Sequence, residues 1–333
     1  MRTSSRTDRS MSASAEPFTV LIRQIRQEAQ DIHSFELVAA DGGLLPGFDA
    51  GAHIDLDLPE RMRRSYSLYG APGERRCWRI AVKREAAGRG ASAWLHDQAR
   101  VGQQLQAFVP ANDFALVEDA PASVLIAGGI GVTPILAMVE RLSALRRPWR
   151  LHYSVRGARD LAFGERLQAL AAAGGGELCV HFSGDGGGRL DLHTIAATAP
   201  AGAHLYACGP NPMLDDFVAA AAAAGVDAAR VHIERFGATA APATDGGFVV
   251  ELARDGRCFE VPAGKTVLDV LLDHGVDVPY SCMQGICGSC RVGVKAGEPE
   301  HRDECLSEVE RAANTAMAVC CSGSRSAKLV LDL

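Results

Sequence analysis

The stretch Cys282-Met-Gln-Gly-Ile-Cys287-Gly-Ser-Cys290 decides how the C-terminal part of this 333-residue chain folds. Its cysteines follow the spacing C-x4-C-x2-C, and 29 residues separate Cys290 from the next candidate, Cys320. This spacing is typical of a plant-type [2Fe–2S] cluster. Gly285 and Gly288 would let the backbone wrap closely around a cluster, because they carry no Cβ. The sequence therefore predicts a cluster-binding loop.

Zinc is the main alternative ligand for this group of cysteines. Structural zinc sites usually combine two short cysteine pairs, whereas the second half here offers only the adjacent Cys320 and Cys321. Two neighbouring thiols cannot easily face one metal ion. The spacing alone does not choose between them. Cys305 is a further candidate, but its polar surroundings predict a surface position.

The residues around this loop indicate a compact α+β domain over 247–333. A linker of small residues, 238–246, precedes it, and Asp255-Gly256 between two apolar runs predicts a hairpin. Thr266-Val-Leu-Asp269 resembles a capping box that opens a helix. Further strands are predicted at 291–295 and 328–331.

Residues 119–237 alternate between strand and helix patterns, which favours a doubly wound parallel sheet. Predicted strands include 149–155 and 204–208, and a predicted helix spans 134–145. Gly128-Gly-Ile-Gly-Val-Thr-Pro134 joins a buried strand to that helix. Its glycines would let the backbone approach a pyrophosphate, Thr133 is expected to cap the helix, and Pro134 suits the first turn. Cys208-Gly-Pro ends a second strand at the same edge of the sheet, where ligands bind.

Residues 17–118 contain short strands at regular spacing, for example at 53–58, which predicts an antiparallel β-barrel. Within it, Arg64-Ser-Tyr-Ser67 could hold a phosphate and a planar ring. Gly88-Arg-Gly-Ala-Ser92 is a possible phosphate nest. Taken by itself, Arg64-Ser-Tyr-Ser67 is better explained as an ordinary strand face, and a glycine-rich turn is the alternative for Gly88-Arg-Gly-Ala-Ser92.

Charge and composition exclude several classes of protein. The formal net charge of −6 gives no basic surface for nucleic acid. No apolar run reaches the length of a membrane span. Residues 1–16 lack the apolar core of a secretory signal, so we expect a disordered leader, with Met11 a possible start, and a cytoplasmic protein.

In this order, the motifs resemble the ferredoxin–NADP reductase superfamily, and more closely the phthalate dioxygenase reductase and vanillate O-demethylase reductase family. The resemblance extends over 17–333 and implies an FMN-binding barrel, an NAD-binding domain and a β-grasp ferredoxin domain. It implies that Ser67 lies near flavin N5 and Cys208 near the nicotinamide ring. These two residues would then be the catalytic ones, nearest to the hydride transfer. The other cofactor contacts that it implies are Arg64, Ser65, Tyr66, Ala81, Val82, Lys83, Gly90, Ala91, Ser92, Gly128, Gly129, Gly131, Thr133, Pro134, Gly209 and Phe236.

The resemblance also selects the cluster ligands Cys282, Cys287, Cys290 and Cys320. Two departures from the family pattern are Ala91, where glycine is common, and the sequence Ser322-Gly-Ser-Arg325. The short segment between barrel and nucleotide domain agrees with FMN rather than FAD.

The implied function is an NADH-dependent reductase that passes electrons through FMN and [2Fe–2S] to a terminal Rieske-type oxygenase, with a monomer that docks transiently. Asp185 could disfavour the 2′-phosphate of NADPH, whereas Arg156, Arg159 and Arg189 could bind it. Alternatives are a reductase for a diiron hydroxylase or a cytochrome, and a redox-sensing adaptor.

Overall fold

The computed structural model describes residues 17–59, 62–85, 88, 90–184, 186–237 and 240–333. The leader, Asp185 and Arg89 of the possible phosphate nest lie outside these residues. Within the described parts of the chain, no helix is long and apolar enough to cross a membrane.

The N-terminal domain is an antiparallel barrel. Its elements are β1 (Phe18–Ala29), β2 (Ile32–Ala39), β3 (His53–Leu58), β4 (Met62–Ser67), β5 (Trp78–Lys83), α1 (Ala91–Asp97) and β6 (Gln104–Ala107). The strands pair in the order β4-β3-β6-β1-β2-β5. Just beyond β4, Tyr69 N donates to Arg79 O at 2.9 Å, which joins the two edge strands and closes the sheet. Phe35, Leu56 and Trp78 fill the interior and are at most 1% exposed.

The second domain is a parallel sheet covered by helices. It contains β7 (Ser123–Gly128), α2 (Val132–Ala144), β8 (Trp149–Val155), α3 (Gly164–Ala172), β9 (Gly176–Phe182), α4 (Leu192–Ala197), β10 (His204–Cys208), α5 (Asn211–Ala223) and β11 (Val231–Glu234). The strand order is β11-β10-β7-β8-β9, and every pair is parallel. All six residues of β7 are buried, as a central strand requires. The carboxyl ends of β7 and β10 therefore lie side by side.

The third domain is a β-grasp. It contains β12 (Phe248–Leu252), β13 (Cys258–Val261), α6 (Val267–Asp273), β14 (Arg291–Ala296), β15 (Pro299–Glu300), α7 (Glu308–Ala313), β16 (Ala316–Ala318), β17 (Gly323–Ser324) and β18 (Lys328–Leu331). The main sheet has the order β13-β12-β18-β14-β16, with β12 and β18 parallel. Thr266 and Asp269 form the predicted capping box at the start of α6. The predicted fold class is confirmed for all three domains, while their exact boundaries stay predictions.

Two segments are more buried than their composition indicates. The second half of the small-residue linker packs on the third domain: Ala243 is 6% exposed, and its N–H donates to Cys321 O at 2.7 Å. Its small side chain fits there because Gly323 leaves room; a Cβ on Gly323 would come within 2.7 Å of the Ala243 Cβ. The polar stretch around Cys305 turns inward, because Asp303 is buried and accepts a hydrogen bond from Leu306 N at 2.9 Å.

Candidate redox site

A cleft of about 2300 Å³ lies where the three domains meet. It brings together most of the flavin-strand residues and part of the cluster loop. The predicted residues that line it are Arg64, Ser65, Tyr66, Ser67, Ala81, Val82, Lys83, Ala91, Ser92, Thr133, Phe236, Cys282 and Cys287. The remaining predicted residues do not belong to its lining, namely Gly90, Gly128, Gly129, Gly131, Pro134, Cys208, Gly209, Cys290 and Cys320.

Strand β4 presents the flavin motif to this cleft. Burial raises the pKa of Tyr66, so its phenol stays neutral. Ser65 Oγ donates to Asp55 Oδ1 at 2.6 Å, which anchors the strand to β3. Arg64 Nη1 donates to Arg63 O at 2.7 Å and lies 3.3 Å from Met283 Sδ. The strand thus offers a cation, a neutral aromatic ring and hydroxyl groups, a set that suits a ring bearing a phosphate.

The start of α1 borders the same cleft. Gly90 has φ of 88°, a conformation that favours glycine, and it precedes the first helical residue, Ala91. Ser92 Oγ accepts a hydrogen bond from Glu85 N at 3.1 Å. No acidic residue occupies the first turn of α1. The predicted phosphate loop therefore carries no negative charge in that turn.

The glycines of the nucleotide loop allow two backbone segments to touch. A Cβ on Gly131 would lie 2.2 Å from Cys208 O, and one on Gly128 would lie 2.7 Å from Pro210 Cδ. The loop and the residues after β10 are therefore packed backbone to backbone. Thr133 does not cap α2, because the helix already begins at Val132. Its hydroxyl instead donates to Ile130 O at 3.1 Å.

Glu234 is the functional candidate that sequence reasoning did not single out. Ser67 Oγ donates to Glu234 Oε2 at 3.2 Å, and the Cys208 thiol lies 3.9 Å from the same oxygen. Burial is the main cause that raises the pKa of Glu234 to about 8, although the Ser67 and Cys208 hydrogen bonds lower it. Burial likewise raises the pKa of the Cys208 thiol. At neutral pH all three groups are therefore mainly uncharged.

The signal for Glu234 was present in the sequence. It begins the stretch Glu234-Arg-Phe-Gly237, and it ends β11 in register with Cys208 on β10. Phe236 follows two residues later, is 38% exposed and lines the cleft. A carboxyl group, a thiol, a hydroxyl and an aromatic ring thus surround one end of the cleft.

The cluster loop brings the four predicted ligand thiols together as two pairs. Cys282 and Cys287 interact through a hydrogen bond, which lowers the pKa of Cys287 and raises that of Cys282. A hydrogen bond with Cys320 raises the pKa of Cys290. Backbone N–H groups also point at the sulfurs: Gln284 N lies 3.3 Å from Cys282 Sγ, and Gly285 N lies 3.2 Å from Cys320 Sγ.

The neighbouring cysteines have different surroundings. Cys321 is fully buried, and its thiol donates to Ala318 O at 3.8 Å. A Cβ on Gly285 would come within 2.5 Å of Cys321 Sγ, so Cys321 packs behind the loop. Cys305 is half-buried, and burial chiefly raises its pKa to about 12. This arrangement favours Cys320 as the fourth ligand.

The donor set suits a two-iron cluster better than one zinc ion. A structural zinc ion needs its four ligands within about 2.3 Å of one point. Two thiol pairs with N–H groups directed at sulfur are what two bridged iron ions would require.

The flavin strand and the cluster loop are in direct contact. Arg63 Nη1 donates to Tyr280 O at 3.3 Å, and the hydroxyls of Ser65 and Ser281 lie 3.1 Å apart. Tyr280 and Ser281 immediately precede Cys282. Electrons passing between the two predicted cofactor positions would therefore cross a packed junction.

The fold and the site define an oxidoreductase with an NAD-binding domain and a [2Fe–2S] domain. Family models agree: the 2Fe-2S iron-sulfur cluster binding domain matches residues 250–323, and the oxidoreductase NAD-binding domain matches residues 125–219. The particular family follows from whole-chain relatives.

Phenoxybenzoate dioxygenase subunit beta of Ectopseudomonas oleovorans is 52% identical, over 97% of this chain and 100% of its own. Tetrachlorobenzoquinone reductase of Sphingobium chlorophenolicum is 45% identical, over 94% and 97%. A solved phthalate dioxygenase reductase, described as a modular structure for electron transfer from pyridine nucleotides to [2Fe–2S], matches with a TM-score of 0.82. It is 37% identical and covers 95% of this chain and 98% of its own. The chain belongs to the phthalate dioxygenase reductase-like family, which confirms the resemblance.

Proposed function

We propose that this chain is the NADH-dependent reductase component of a two-component Rieske-type oxygenase, of the aromatic-acid dioxygenase or O-demethylase class. The observation that carries the proposal is the contact between β4 and the residues Tyr280 and Ser281, because it joins the predicted flavin site to the segment that leads into the predicted cluster loop. The dioxygenase subunit named above supports an oxygenase as the acceptor.

The residues present fit FMN and a [2Fe–2S] cluster. Tyr66 and Ser67 would face the flavin ring, Arg64 and Ser92 would approach its phosphate, and the four thiols would hold the irons. When bound, these groups would accept hydride from NADH and deliver its two electrons one at a time.

The protein's own groups would shape the place where NADH meets the flavin. Ser67 and Cys208 both direct a hydrogen at Glu234 Oε2, and the raised pKa keeps the Glu234 carboxyl mainly protonated near neutral pH. This uncharged wall would accept a nicotinamide without burying an unpaired charge. Phe236 would limit the access of water from the open side.

NADH as the preferred donor stays a proposal. Asp185 lies outside the described residues, so the balance between it and the nearby arginines rests on the sequence. The ratio of kcat/KM for NADH and NADPH tests this preference directly. All ten cysteines are free, which agrees with a reducing compartment such as the cytoplasm.

A reductase that serves a different acceptor is the second candidate. Tetrachlorobenzoquinone reductase favours it, because this relative is 45% identical over nearly the whole chain and its name gives a quinone as the acceptor. A redox-sensing adaptor is a weaker alternative, because the predicted flavin and cluster residues are all present.

Reconstitution with candidate acceptors tests the proposal. The iron- and FMN-loaded chain would be mixed with NADH and, separately, with an oxidised Rieske oxygenase, a diiron hydroxylase, a cytochrome P450 and a chlorinated quinone. We expect coupled NADH oxidation and product only with a Rieske oxygenase. Efficient turnover with the quinone alone would favour the second candidate, and a Cys320→Ser variant controls for electrons that bypass the cluster.

A further inference from the structure

Arg235 joins the nucleotide domain to the ferredoxin domain. Its guanidinium is 14% exposed and donates to Asn211 Oδ1 at 3.1 Å and to Asp215 Oδ1 at 2.5 Å, both on α5. Its Nε also forms an ion pair with Glu304 Oε2 at 3.4 Å. Glu304 belongs to the ferredoxin domain, so one side chain holds carboxylates from two domains.

On the ferredoxin side, this ion pair connects to the cluster loop. Glu304 N donates to Gly285 O at 2.9 Å, and Gly285 N in turn points at Cys320 Sγ at 3.2 Å. The position of Glu304 is therefore tied to the peptide that contacts a predicted cluster ligand.

In the nucleotide domain, the sequence neighbours of Arg235 are Glu234 and Phe236, which both belong to the predicted hydride site. Glu234 contacts Ser67 and Cys208, and Phe236 lines the cleft. Asn211, which accepts from Arg235, also donates to Gly237 O at 3.0 Å. The turn that carries Phe236 is thus held in place by the hydrogen bonds of Arg235 and Asn211.

For the interaction with Glu304, the positive charge of Arg235 is more important than the length of its side chain. Glu304 is 24% exposed, and Asp215 is 59% exposed. Without the guanidinium, Glu304 would lose this cation in a mainly enclosed junction, whereas Asp215 would remain hydrated. A partly enclosed ion pair of this kind holds its partners more firmly than a surface pair does.

We propose that Arg235 is a positioning residue, which holds the ferredoxin domain against the nucleotide domain and so keeps the cluster loop beside the flavin strand. The proposal rests on the proposed function, since it concerns the transfer from flavin to cluster. It assigns no chemical step to Arg235 itself.

The central variant is Glu304→Gln, which keeps size and polarity, removes the charge and leaves the hydride site untouched. Arg235→Lys keeps the charge without the guanidinium fork, and Arg235→Gln removes both. Arg257→Gln is the matched control, because Arg257 pairs with Asp255 inside one hairpin at 2.7 Å.

Stopped-flow absorbance after anaerobic mixing with NADH separates flavin bleaching from cluster bleaching. In Glu304→Gln we expect the flavin to bleach at the wild-type rate. The cluster should bleach about two- to fivefold more slowly at low salt, which corresponds to the free energy of one ion pair. The difference from the wild type should become smaller at high salt, although salt screens a partly enclosed pair less than an exposed one. Arg235→Lys should be slowed less than Arg235→Gln, and Arg257→Gln should match the wild type.

Small-angle X-ray scattering of the same holoproteins supplies a readout independent of turnover. We expect a larger radius of gyration for Glu304→Gln than for the wild type or Arg257→Gln. Equal cluster rates together with equal radii of gyration would overturn the proposal. If NADH fails to bleach the wild-type cluster at all, the proposed function fails, while the scattering comparison still tests the bridge.

Discussion

Replacing Glu234 by glutamine should change how stability depends on pH. Burial chiefly raises the pKa of Glu234 from its ordinary 4.5 to about 8, so the folded protein holds this proton more tightly than the unfolded chain. A raised carboxyl pKa lowers stability as pH rises between the two values. The glutamine side chain cannot titrate, so the variant should lack this loss.

The size of the effect follows from the displacement of the pKa. Each pKa unit corresponds to about 1.4 kcal/mol. Between pH 6 and pH 9 the free energy of unfolding of the wild type should therefore fall by about 1–3 kcal/mol more than that of Glu234→Gln. The lower end of this range allows for water in the cleft that Glu234 lines. If the whole chain unfolds together, each kcal/mol moves Tm by about 1–2 °C.

Thermal unfolding of both proteins at pH 6 and pH 9 measures this difference. Glu308→Gln, which changes an exposed carboxylate on α7, is the control and should follow the wild type. The Glu234→Gln variant should also reduce flavin with NADH almost normally at pH 7, because glutamine resembles the protonated acid. If Tm falls by the same amount from pH 6 to pH 9 in the wild type and in Glu234→Gln, the raised pKa of Glu234 is refuted.

Two further substitutions test other parts of the site. Cys320→Ser should lose iron and the red-brown absorbance, whereas Cys321→Ser should keep both, because only Cys320 pairs with Cys290. Iron analysis and visible spectra of the two variants measure this difference. Gly131→Ala places a Cβ 2.2 Å from a carbonyl oxygen, so it should raise KM for NADH at least tenfold and cost about 1–3 kcal/mol of stability. Gly157→Ala, whose Cβ would meet nothing closer than 3.9 Å, should do neither.

Much of the architecture could be predicted from the sequence, because local patterns determine it. Strands 53–58, 149–155 and 204–208 were predicted with the bounds that the structure shows, since their apolar runs end at turn residues. The Thr266 capping box is also a local feature, formed within four residues.

The contacts that complete the site depend on distant parts of the chain. Ser67 and Glu234 are 167 positions apart, and no local pattern predicts that their side chains meet. The inward turn of Asp303 and the packing of Ala243 likewise arise from segments that approach only in the folded chain. Helix α1, with seven residues, is too short to give a periodic signal.

An absorbance spectrum of the purified protein, before and after anaerobic addition of NADH, tests the central claim most directly. The structure predicts flavin bands with a broad red-brown shoulder, and both should bleach promptly with NADH. A colourless protein that contains stoichiometric zinc would contradict the cluster. A coloured protein that NADH leaves unchanged would contradict the electron path from the nucleotide through the cleft to Cys282–Cys290.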